Sequence, residues 1–429
     1  MKITTSTSTC NSSDRLIASF DVSKHSLCFY SQHTGNEATR HFEKDLPNTT
    51  RAVEQFLRKL EALTERLGLT GLLVVAESTG GYERTLFDTA RRLGHKTLLV
   101  SPEHLSKMGV IESNDAGKTD RKDARVIHLL ARLGKTRTHR ELPEIYRRLR
   151  WLTAYYDDDE DLVTTARQRI QAVIYELFPD YDKNATFTFG VTGEALFDAY
   201  AFDPYAIRRA GYSRFTRKMK RRVKYVRSET LEHLFEQARA STRHKKSPLE
   251  TELLTERLKA LWEDYRRLTT RREAQREKIE ALGEELKSCG ELPQLDHLSG
   301  ITLFNLGRIV GETRPLLDFR SKRALLRYAG LNLRERTSGT FRGQTRISKK
   351  GRPLLRKVLG QATFPLLRRE HLYGPYYHRK TREEGKPARK VKVAVMRKFL
   401  CMLYSLTGSG EAFDIERFTR CESQYRQAA

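Results

Sequence analysis

Apolar residues are spaced along the first third of the chain as strands and helices require. Three short stretches, LIASFDV, SLCFYSQ and the weaker ATRHFEK, follow one another from residue 15, with polar turns between them. A helical period over 49–67 is followed by the apolar strand GLLVVAES, a helix over 81–93, the strand KTLLVSP, and helices over 102–110 and 119–134. Three strands followed by alternating helices and buried strands predict a mixed α/β sheet.

From about residue 143 the pattern becomes that of long, charged helices. A helical period spans 143–178 and is interrupted by the acidic run Asp157–Asp161, whereas residues 179–246 show no clear period. Apolar residues then recur at alternating spacings of three and four, with Arg272 and Gln275 in the same register: Leu254, Leu258, Leu261, Tyr265, Leu268, Ile279, Leu282 and Leu286. This spacing predicts a coiled-coil seam, weakened in its middle, that packs either on the 143–178 helix or on another subunit.

The C-terminal part is predicted to be mostly helical around one polar loop. A helix over 318–328 ends before Gly330, and Pro353 begins another. The stretch between them, GLNLRERTSGTFRGQTRISKKG, has no apolar period and predicts a loop. Upstream, LDHLSGITLFNLGRIVGE predicts two short helices joined at 299–301, similar to a helix-hairpin-helix, although Thr302 stands where such turns usually have a second glycine.

These patterns divide the chain into five segments, and its length is sufficient for two or three domains. We expect a disordered N-terminus (1–14), an α/β domain (15–140), a helical coiled-coil region with a basic insertion at about 180–250 (141–289), a mostly helical C-terminal domain (290–412) and a polar tail (413–429). The order of elements in the α/β domain matches the ribonuclease H-like fold.

Net charge identifies the class of partner. The 429 residues include 80 Lys and Arg against 54 Asp and Glu, and the resulting charge of +26 indicates a nucleic-acid partner. Between Arg208 and Arg227 there are ten Lys or Arg and no acid, interleaved with Tyr212, Phe215 and Tyr225, on which bases can stack. The alternative is a solvated helix face or a disordered arm. The candidates for nucleic-acid contact in this run are Arg217, Lys218, Lys220, Arg221, Arg222 and Lys224.

Cysteine spacing and hydropathy argue against two classes of protein. The five cysteines form no CxxC pair and have no histidine at zinc-finger spacing, so we expect a reducing compartment and no zinc site. No apolar stretch approaches the roughly 18 residues of a membrane span, and the polar N-terminus does not resemble a signal peptide. We therefore expect a soluble cytoplasmic protein with no membrane partner.

Four carboxylates stand where strands end or a helix begins. Asp21 ends the first strand, Glu77 ends the apolar fourth strand, and Asp120 and Asp123 lie three residues apart on one face of a starting helix. Side chains at these positions can converge at one edge of the sheet and bind Mg²⁺, which polarises phosphodiesters. Singly, each acid has an ordinary alternative, such as a helix cap for Asp120 or an ion pair with Arg125 for Asp123.

One serine lies in the polar loop. Ser338 precedes Gly339, and six cations stand in the same loop against the single acid Glu335: Arg334, Arg336, Arg342, Arg346, Lys349 and Lys350. A hydroxyl here can attack a phosphodiester, because guanidinium groups would hold the phosphate and offset the charge of the transition state. The alternative is a phosphate-binding loop in which Ser338 only forms a hydrogen bond with nucleic acid.

Several motifs together resemble a known family. FDVSKHSL, VVAESTGGYE and KTDRKDAR, followed much later by YAGLNLRERTSG, GQTRISKKG and VAVMRK, resemble the DEDD transposases of the insertion-sequence family that includes pilin-gene inverting proteins and bridge-RNA-guided serine recombinases. The resemblance covers roughly 15–180 and 290–410. The middle, about 180–250, is longer than in that family.

The resemblance implies a RuvC-like N-terminal domain in which Asp21, Glu77, Asp120 and Asp123 bind Mg²⁺, and a nucleophilic Ser338 that forms an ester with DNA. It also implies donor and target double-stranded DNA as partners, a non-coding guide RNA, and a homo-oligomer, either dimer or tetramer, with composite sites. The prokaryotic nucleoid is the expected location. Two other interpretations remain, a RuvC-type nuclease in which water attacks and a non-catalytic nucleic-acid-binding protein.

Overall fold

The structure is a computed structural model, and the chain forms two units, residues 1–141 and 142–429. The residues it describes are 14–34, 39–113, 120–138, 142–244, 246–295, 298–334, 337–338, 341–343, 345–416 and 418, with only the backbone at 39, 113, 337–338 and 341–342. The predicted disordered N-terminus therefore lies outside the described residues except for Asp14, as does most of the predicted polar tail.

A six-stranded sheet forms the centre of the first unit. Its strands are β1 (Arg15–Val22), β2 (Ser26–Thr34), β3 (Thr39–Pro47), β4 (Gly71–Glu77), β5 (Lys96–Val100) and β6 (Thr136–Thr138), in the order β3-β2-β1-β4-β5-β6. β1 is parallel to β4 and β4 to β5, whereas the other neighbours are antiparallel. The predicted mixed sheet is thus confirmed. β6 was not predicted, because its sequence TRT contains no apolar residue.

Helices cover both faces of this sheet: α1 (Thr50–Arg66), α2 (Arg84–Arg92), α3 (Pro102–Ser113) and α4 (Asp120–Arg132). Leu16 and Phe20 of β1 share a core with α1 and α2, whereas Ile17 shares one with α3 and α4. Because successive side chains of a strand alternate between faces, Ser19 and Asp21 belong to the α4 face. This alternation, set by the sequence of β1, places Asp21 beneath the start of α4.

The second unit contains two long helices and a group of short ones between them. The long helices are α5 (Glu144–Leu177) and α11 (Pro248–Ser288), and the short ones are α6 (Ala185–Thr188), α7 (Val191–Tyr200), α8 (Pro204–Ala210), α9 (Tyr212–Arg222) and α10 (Ser228–Ser241). Apolar residues of all of these helices meet in one core centred on Trp262. None of the helices in the described part of the chain is long and apolar enough to cross a membrane.

The helices α5 and α11 pack antiparallel within the chain. Arg271 of α11 pairs with Asp159 of α5, and nearer the other end Arg167 donates to the Tyr265 hydroxyl at 3.2 Å. Of the predicted seam, the first five residues belong to the core around Trp262, and the last three belong to a second core with Leu149 of α5. The seam therefore packs in cis, whereas a coiled coil with another subunit stays a prediction.

Ion pairs explain the weak middle of this seam. The Asp159 side chain is only 4% exposed and accepts two hydrogen bonds from Arg271, one of 2.8 Å. Its neighbour Glu160 accepts a 2.8 Å bond from Arg272, a residue in the predicted register. The acidic run of α5 thus does not interrupt the helix: Asp159 and Glu160 face the cations of α11, whereas Asp157 and Asp161 pair with Lys357.

The C-terminal helices enclose a separate core: α12 (Leu303–Thr313), α13 (Lys322–Tyr328), α14 (Pro353–Thr363), α15 (Gly374–His378) and α16 (Ala388–Ser409). The predicted helix-hairpin-helix is wrong in its first half, because residues 291–295 and 298–301 are not helical. Thr302 caps α12 instead, since its hydroxyl accepts a 3.3 Å hydrogen bond from the Asn305 amide. A capping hydroxyl at this position accounts for the absence of a second glycine.

We predict that Gly311→Ala destabilises the second unit by about 1–3 kcal/mol, because overpacking a tight contact forces the backbone apart. An added Cβ at Gly311 would lie 3.0 Å from the Leu149 Cβ and carbonyl carbon on α5. Gly360→Ala in α14 is the matched control, because nothing lies within 4 Å of its added Cβ. Urea unfolding followed by circular dichroism measures both. Equal midpoints for the two variants would contradict the close α5–α12 contact.

Candidate active site and nucleic-acid interface

The four predicted carboxylates lie at the ends of adjacent elements in the first unit. Asp21 is the second-last residue of β1, and Glu77 is the last residue of β4, the parallel neighbour of β1. Asp120 and Asp123 are in the first turn of α4, which packs on β1, β2 and β4. Backbone pairing thus brings the first two together, and helix packing adds the other two.

The charge of Asp21 is disfavoured by its surroundings. Partial burial, and then the negative charges of Asp120, Asp123 and Glu77, raise the pKa of Asp21 to about 6, although a 3.0 Å hydrogen bond from the Val22 amide acts in the opposite direction. Carboxylate oxygens are the ligands that Mg²⁺ prefers, and a cation would relieve this repulsion. As placed, however, no three Asp, Glu, His or Cys side chains in the described residues are grouped closely enough to hold a metal ion. The carboxylate donors therefore fit Mg²⁺ in chemical kind, but as placed they are too far apart to hold it together.

Ion pairs hold α4 against the sheet. Arg121 donates to Asp45 at 3.1 Å, and Arg125 Nε donates to Glu43 at 2.9 Å, both acids being on β3. Arg125, which the sequence offered as a partner of Asp123, thus pairs across the sheet. These two contacts, which join residues more than seventy positions apart, help to fix the start of α4 near the strand ends.

The loop that contains Ser338 is a hairpin with two short ladders. β7 (Leu333–Arg334) pairs with β10 (Arg346–Ile347), and β8 (Thr337–Ser338) pairs with β9 (Phe341–Arg342), both antiparallel. Ser338 is opposite Phe341 and is the last residue of β8, so it ends the outer ladder. We call residues 331–348 the serine hairpin. The sequence predicted the loop and its flanking helices, but not these strands.

Two arginines face each other in the serine hairpin. Arg334 and Arg346 are exposed and directly opposite in the β7–β10 ladder. Two guanidinium groups at such a position can together bind a phosphate. Of the other predicted cations of the loop, Lys349 and Lys350 are exposed, Arg336 lies outside the described residues, and Arg342 is described only by its backbone.

The basic run of residues 208–227 forms helix α9 and its flanks. Phe215 and Met219 of α9 are completely buried, so the expectation that Phe215 stacks on a base is wrong, whereas Tyr225 is 85% exposed. Lys218 also turns inward, where its ammonium group donates to the Ala199 carbonyl at 2.7 Å. The remaining candidates are all exposed: Arg217, Lys220, Arg221, Arg222 and Lys224.

Two family models match the chain. Residues 18–179 match the model of DEDD transposases of the IS110 type, and residues 293–378 match the model described as "Transposase IS116/IS110/IS902 family". The first match contains all four carboxylates, the second contains Ser338, and together they cover more than half of the chain. The chain belongs to the IS110 family of DEDD transposases. Its cutting and rejoining of DNA follows from this membership.

Solved structures similar to this IS110-family transposase include Thermus thermophilus RuvC (13% identity, TM-score 0.21, 29% of this chain and 99% of that one) and T. thermophilus RuvC in complex with a Holliday junction substrate (12%, 0.21, 29% and 99%). A third is the type II variant of the Aquifex aeolicus Ppx/GppA phosphatase (13%, 0.17, 56% and 93%). No curated protein matches the transposase. These TM-scores are too low to define the fold, so the fold of the first unit is described by its own strand order.

The transposase has a buried carboxylate near the serine hairpin that the sequence analysis did not single out. Glu312 of α12 is completely buried, and Arg352 donates to its two oxygens at 2.9 and 3.0 Å. The sequence of α12, LFNLGRIVGET, did indicate a buried acid, since Glu312 is the one acid in this largely apolar helix. Its partner, 40 residues away, could not be found from any local pattern.

We predict that Asp21→Asn raises the unfolding temperature of the metal-free transposase above pH 6 and not below pH 4. The pKa of Asp21 is about 6 in the folded protein against an ordinary 3.8, so its ionisation lowers stability fully above pH 6 and not at all below 3.8. Thermal unfolding in EDTA at pH 7.5 and pH 3.5 measures the difference.

Asp45→Asn is the control for this experiment, because the hydrogen bond from Arg121 lowers the pKa of Asp45. The ionised form of Asp45 therefore favours the folded state, and its removal should give no gain at pH 7.5. An unfolding temperature of Asp21→Asn at or below that of the wild type at pH 7.5 would show that the carboxylates do not repel one another.

Proposed function

We propose that this transposase cuts and rejoins DNA through a covalent ester between Ser338 and one DNA strand. The Ser338 Oγ attacks a phosphorus atom, the bond from that phosphorus to one sugar oxygen breaks, and the serine proton leaves while the sugar oxygen is protonated. The ester retains the energy of the phosphodiester. A sugar hydroxyl of another strand can therefore attack it and release Ser338 without ATP.

The observation that carries this proposal is the place of Ser338 at the tip of a hairpin with a cationic base. Arg334 and Arg346 stand opposite each other in the lower ladder, and Lys349 and Lys350 are exposed where the hairpin ends. Such groups can hold phosphates on either side of the attacked bond. Cations that contact the attacked phosphate would also stabilise the negative charge that develops in the transition state.

In the same proposal Asp21, Glu77, Asp120 and Asp123 hold Mg²⁺, which when bound polarises phosphodiester oxygens. Burial, and then the negative charges of the other three carboxylates, raise the pKa of Asp21; the contribution from these charges supports this role, because it marks an excess of negative charge at the strand ends. The packing of α4 on the sheet brings Asp120 and Asp123 to the strand ends, and a bound cation would favour the ionised form of the carboxylates there.

The proposed partners are donor and target double-stranded DNA, a non-coding guide RNA, and further copies of this chain in a dimer or tetramer. The exposed cations of α9 and its flank are the proposed contacts to the RNA or DNA backbone, with Tyr225 available for stacking. We place the transposase at the nucleoid in the prokaryotic cytoplasm.

A RuvC-type nuclease is the second candidate function, because all four acids belong to the first unit and Ser338 belongs to the second. In that case water attacks, and the serine hairpin only binds the strand. A non-catalytic nucleic-acid-binding protein, supported by the charge of +26, would keep its biological activity in the Asp120→Asn variant.

We predict that Ser338→Ala abolishes both the protein–DNA adduct and strand cleavage but retains DNA binding. The neighbouring hydroxyl variant Thr337→Ala is the control and should keep the adduct. Denaturing gel electrophoresis with end-labelled native flanking DNA and Mg²⁺ detects the adduct as a slowly migrating band. Cleavage by Ser338→Ala at the rate of the wild type would favour the nuclease.

We predict that the double variant Arg217→Gln/Arg221→Gln makes the negative slope of log affinity against log salt concentration shallower by about 1.4–1.8, because each lost phosphate contact removes about 0.7–0.9 from its magnitude. Lys218→Gln is the control on the same helix and should leave the slope unchanged, since the Lys218 ammonium already binds the Ala199 carbonyl. Fluorescence anisotropy with labelled RNA and DNA over a salt series measures the slope. Equal slopes for the double variant and the wild type would remove α9 from the interface.

A further inference from the structure

The buried carboxylate of Glu312 binds Arg352, which lies shortly after the serine hairpin. Its two oxygens accept hydrogen bonds of 2.9 and 3.0 Å from Nε and a terminal nitrogen of Arg352, the residue before α14. Arg150 of α5 adds a second guanidinium, with its Nε 3.8 Å from the carboxylate. Three elements that are remote in sequence, α5, α12 and the start of α14, therefore meet at one carboxylate.

The same group of residues also contacts Tyr328, which lies just before the serine hairpin. Arg150 donates to the Tyr328 hydroxyl at 2.7 Å, and that hydroxyl donates to the Glu312 carbonyl at 3.1 Å. Tyr328 is the last residue of α13, and its own carbonyl accepts a 3.0 Å bond from the Arg352 amide. We call Glu312, Arg352, Arg150 and Tyr328 the Glu312 cluster. It joins both ends of the hairpin.

Paired backbone continues from the Glu312 cluster to the ladders. The Lys349 amide donates to the Gly330 carbonyl at 3.0 Å, the Ser348 amide donates to Asn332 at 2.9 Å, and the β7–β10 ladder follows. The segments that enter and leave the serine hairpin lie so close together that a Cβ on Gly351 would be 2.3 Å from the Tyr328 carbonyl oxygen. A change in the orientation of the Glu312 cluster would therefore also move the β7–β10 ladder.

Stability alone does not account for a carboxylate in this position. Removing two opposite charges from water costs several kcal/mol per ion, and apolar groups of similar volume often stabilise a core at least as well. A guanidinium bound through two nitrogens has a fixed orientation, which an apolar contact does not provide. The cluster therefore contributes geometry, and the geometry it fixes is that of the hairpin base.

We propose that Glu312 is a positioning residue for the reaction at Ser338: through Arg352 and Tyr328 it orients the serine hairpin so that the Ser338 hydroxyl meets the phosphorus of the bound strand. The inference depends on the proposed function of Ser338. Glu312 itself, being completely buried, does not contact DNA.

The test compares two arginine-to-lysine variants in the full-length protein. Arg352→Lys and Arg271→Lys both keep a positive charge beside a buried carboxylate but remove the two-nitrogen contact, to Glu312 and to Asp159 respectively. We expect Arg352→Lys to slow adduct formation by about 10- to 100-fold, because misplacing a reacting group by about 1 Å costs on the order of 10²-fold. DNA affinity should be unchanged, and Arg271→Lys should keep the wild-type rate at a similar loss of thermal stability.

Hydrogen exchange supplies a readout that is independent of the reaction. In Arg352→Lys the amides of Ser348 and Lys349 should exchange faster, whereas those of α11 should not. Wild-type exchange and adduct rates in Arg352→Lys, or equal slowing of the adduct in both lysine variants, would overturn the positioning role. Absence of a Ser338 adduct in the wild type would overturn the proposed function, and with it the role of the cluster in catalysis.

A milder pair of variants covers the case in which Arg352→Lys does not fold. Tyr328→Phe removes the hydroxyl between Arg150 and Glu312, and Tyr146→Phe removes a comparable buried hydroxyl that donates to Glu291. A slower adduct in Tyr328→Phe alone is expected. The same rate in both variants and the wild type would overturn the proposal.

Discussion

Carboxylates taken out of water are the constraint on which most of this structure depends, because a buried charge must be paired or must give up its ionisation. In the second unit Asp159 and Glu312 are almost completely buried, and each accepts two hydrogen bonds from one guanidinium. These contacts join α5 to α11 and α12 to the start of α14. In the first unit Asp21 lies beside other acids, and its pKa rises instead. Paired acids thus hold the helical frame, whereas mutually repelling acids mark the candidate metal site.

Both candidate sites occur where regular elements end. Asp21 and Glu77 lie at the ends of strands, Asp120 and Asp123 begin a helix, and Ser338 is the last residue of a strand. At such positions the backbone is supported on one side by a paired or packed element. The sheet and the helix pair provide that support in their respective units. Precision at Ser338 then depends on the base of the hairpin, which the proposed positioning role assigns to Glu312.

Two exposed surfaces of the second unit bring cations side by side. Arg334 faces Arg346 across a ladder, and the exposed side of α9 contains several cations within two turns while Phe215 and Met219 anchor its other side. A polyanion would neutralise the charge of such surfaces, as the DNA of a transposase does. The apolar face of α9 also shows why a basic run can belong to a packed domain and not to a disordered arm.

The sequence by itself determined the first five strands of the first unit, the long helices of the second, the loop around Ser338 and the acids at element ends, because a period of two or 3.6 residues is a local property of the chain. Only the tertiary structure decided the helices between 185 and 241, whose apolar residues are defined by their packing on Trp262. It alone also paired Arg125 with Glu43 and Glu312 with Arg352. Contacts between residues 40 to 82 positions apart produce no periodic pattern in the sequence, since they depend on which surfaces meet after the elements have formed.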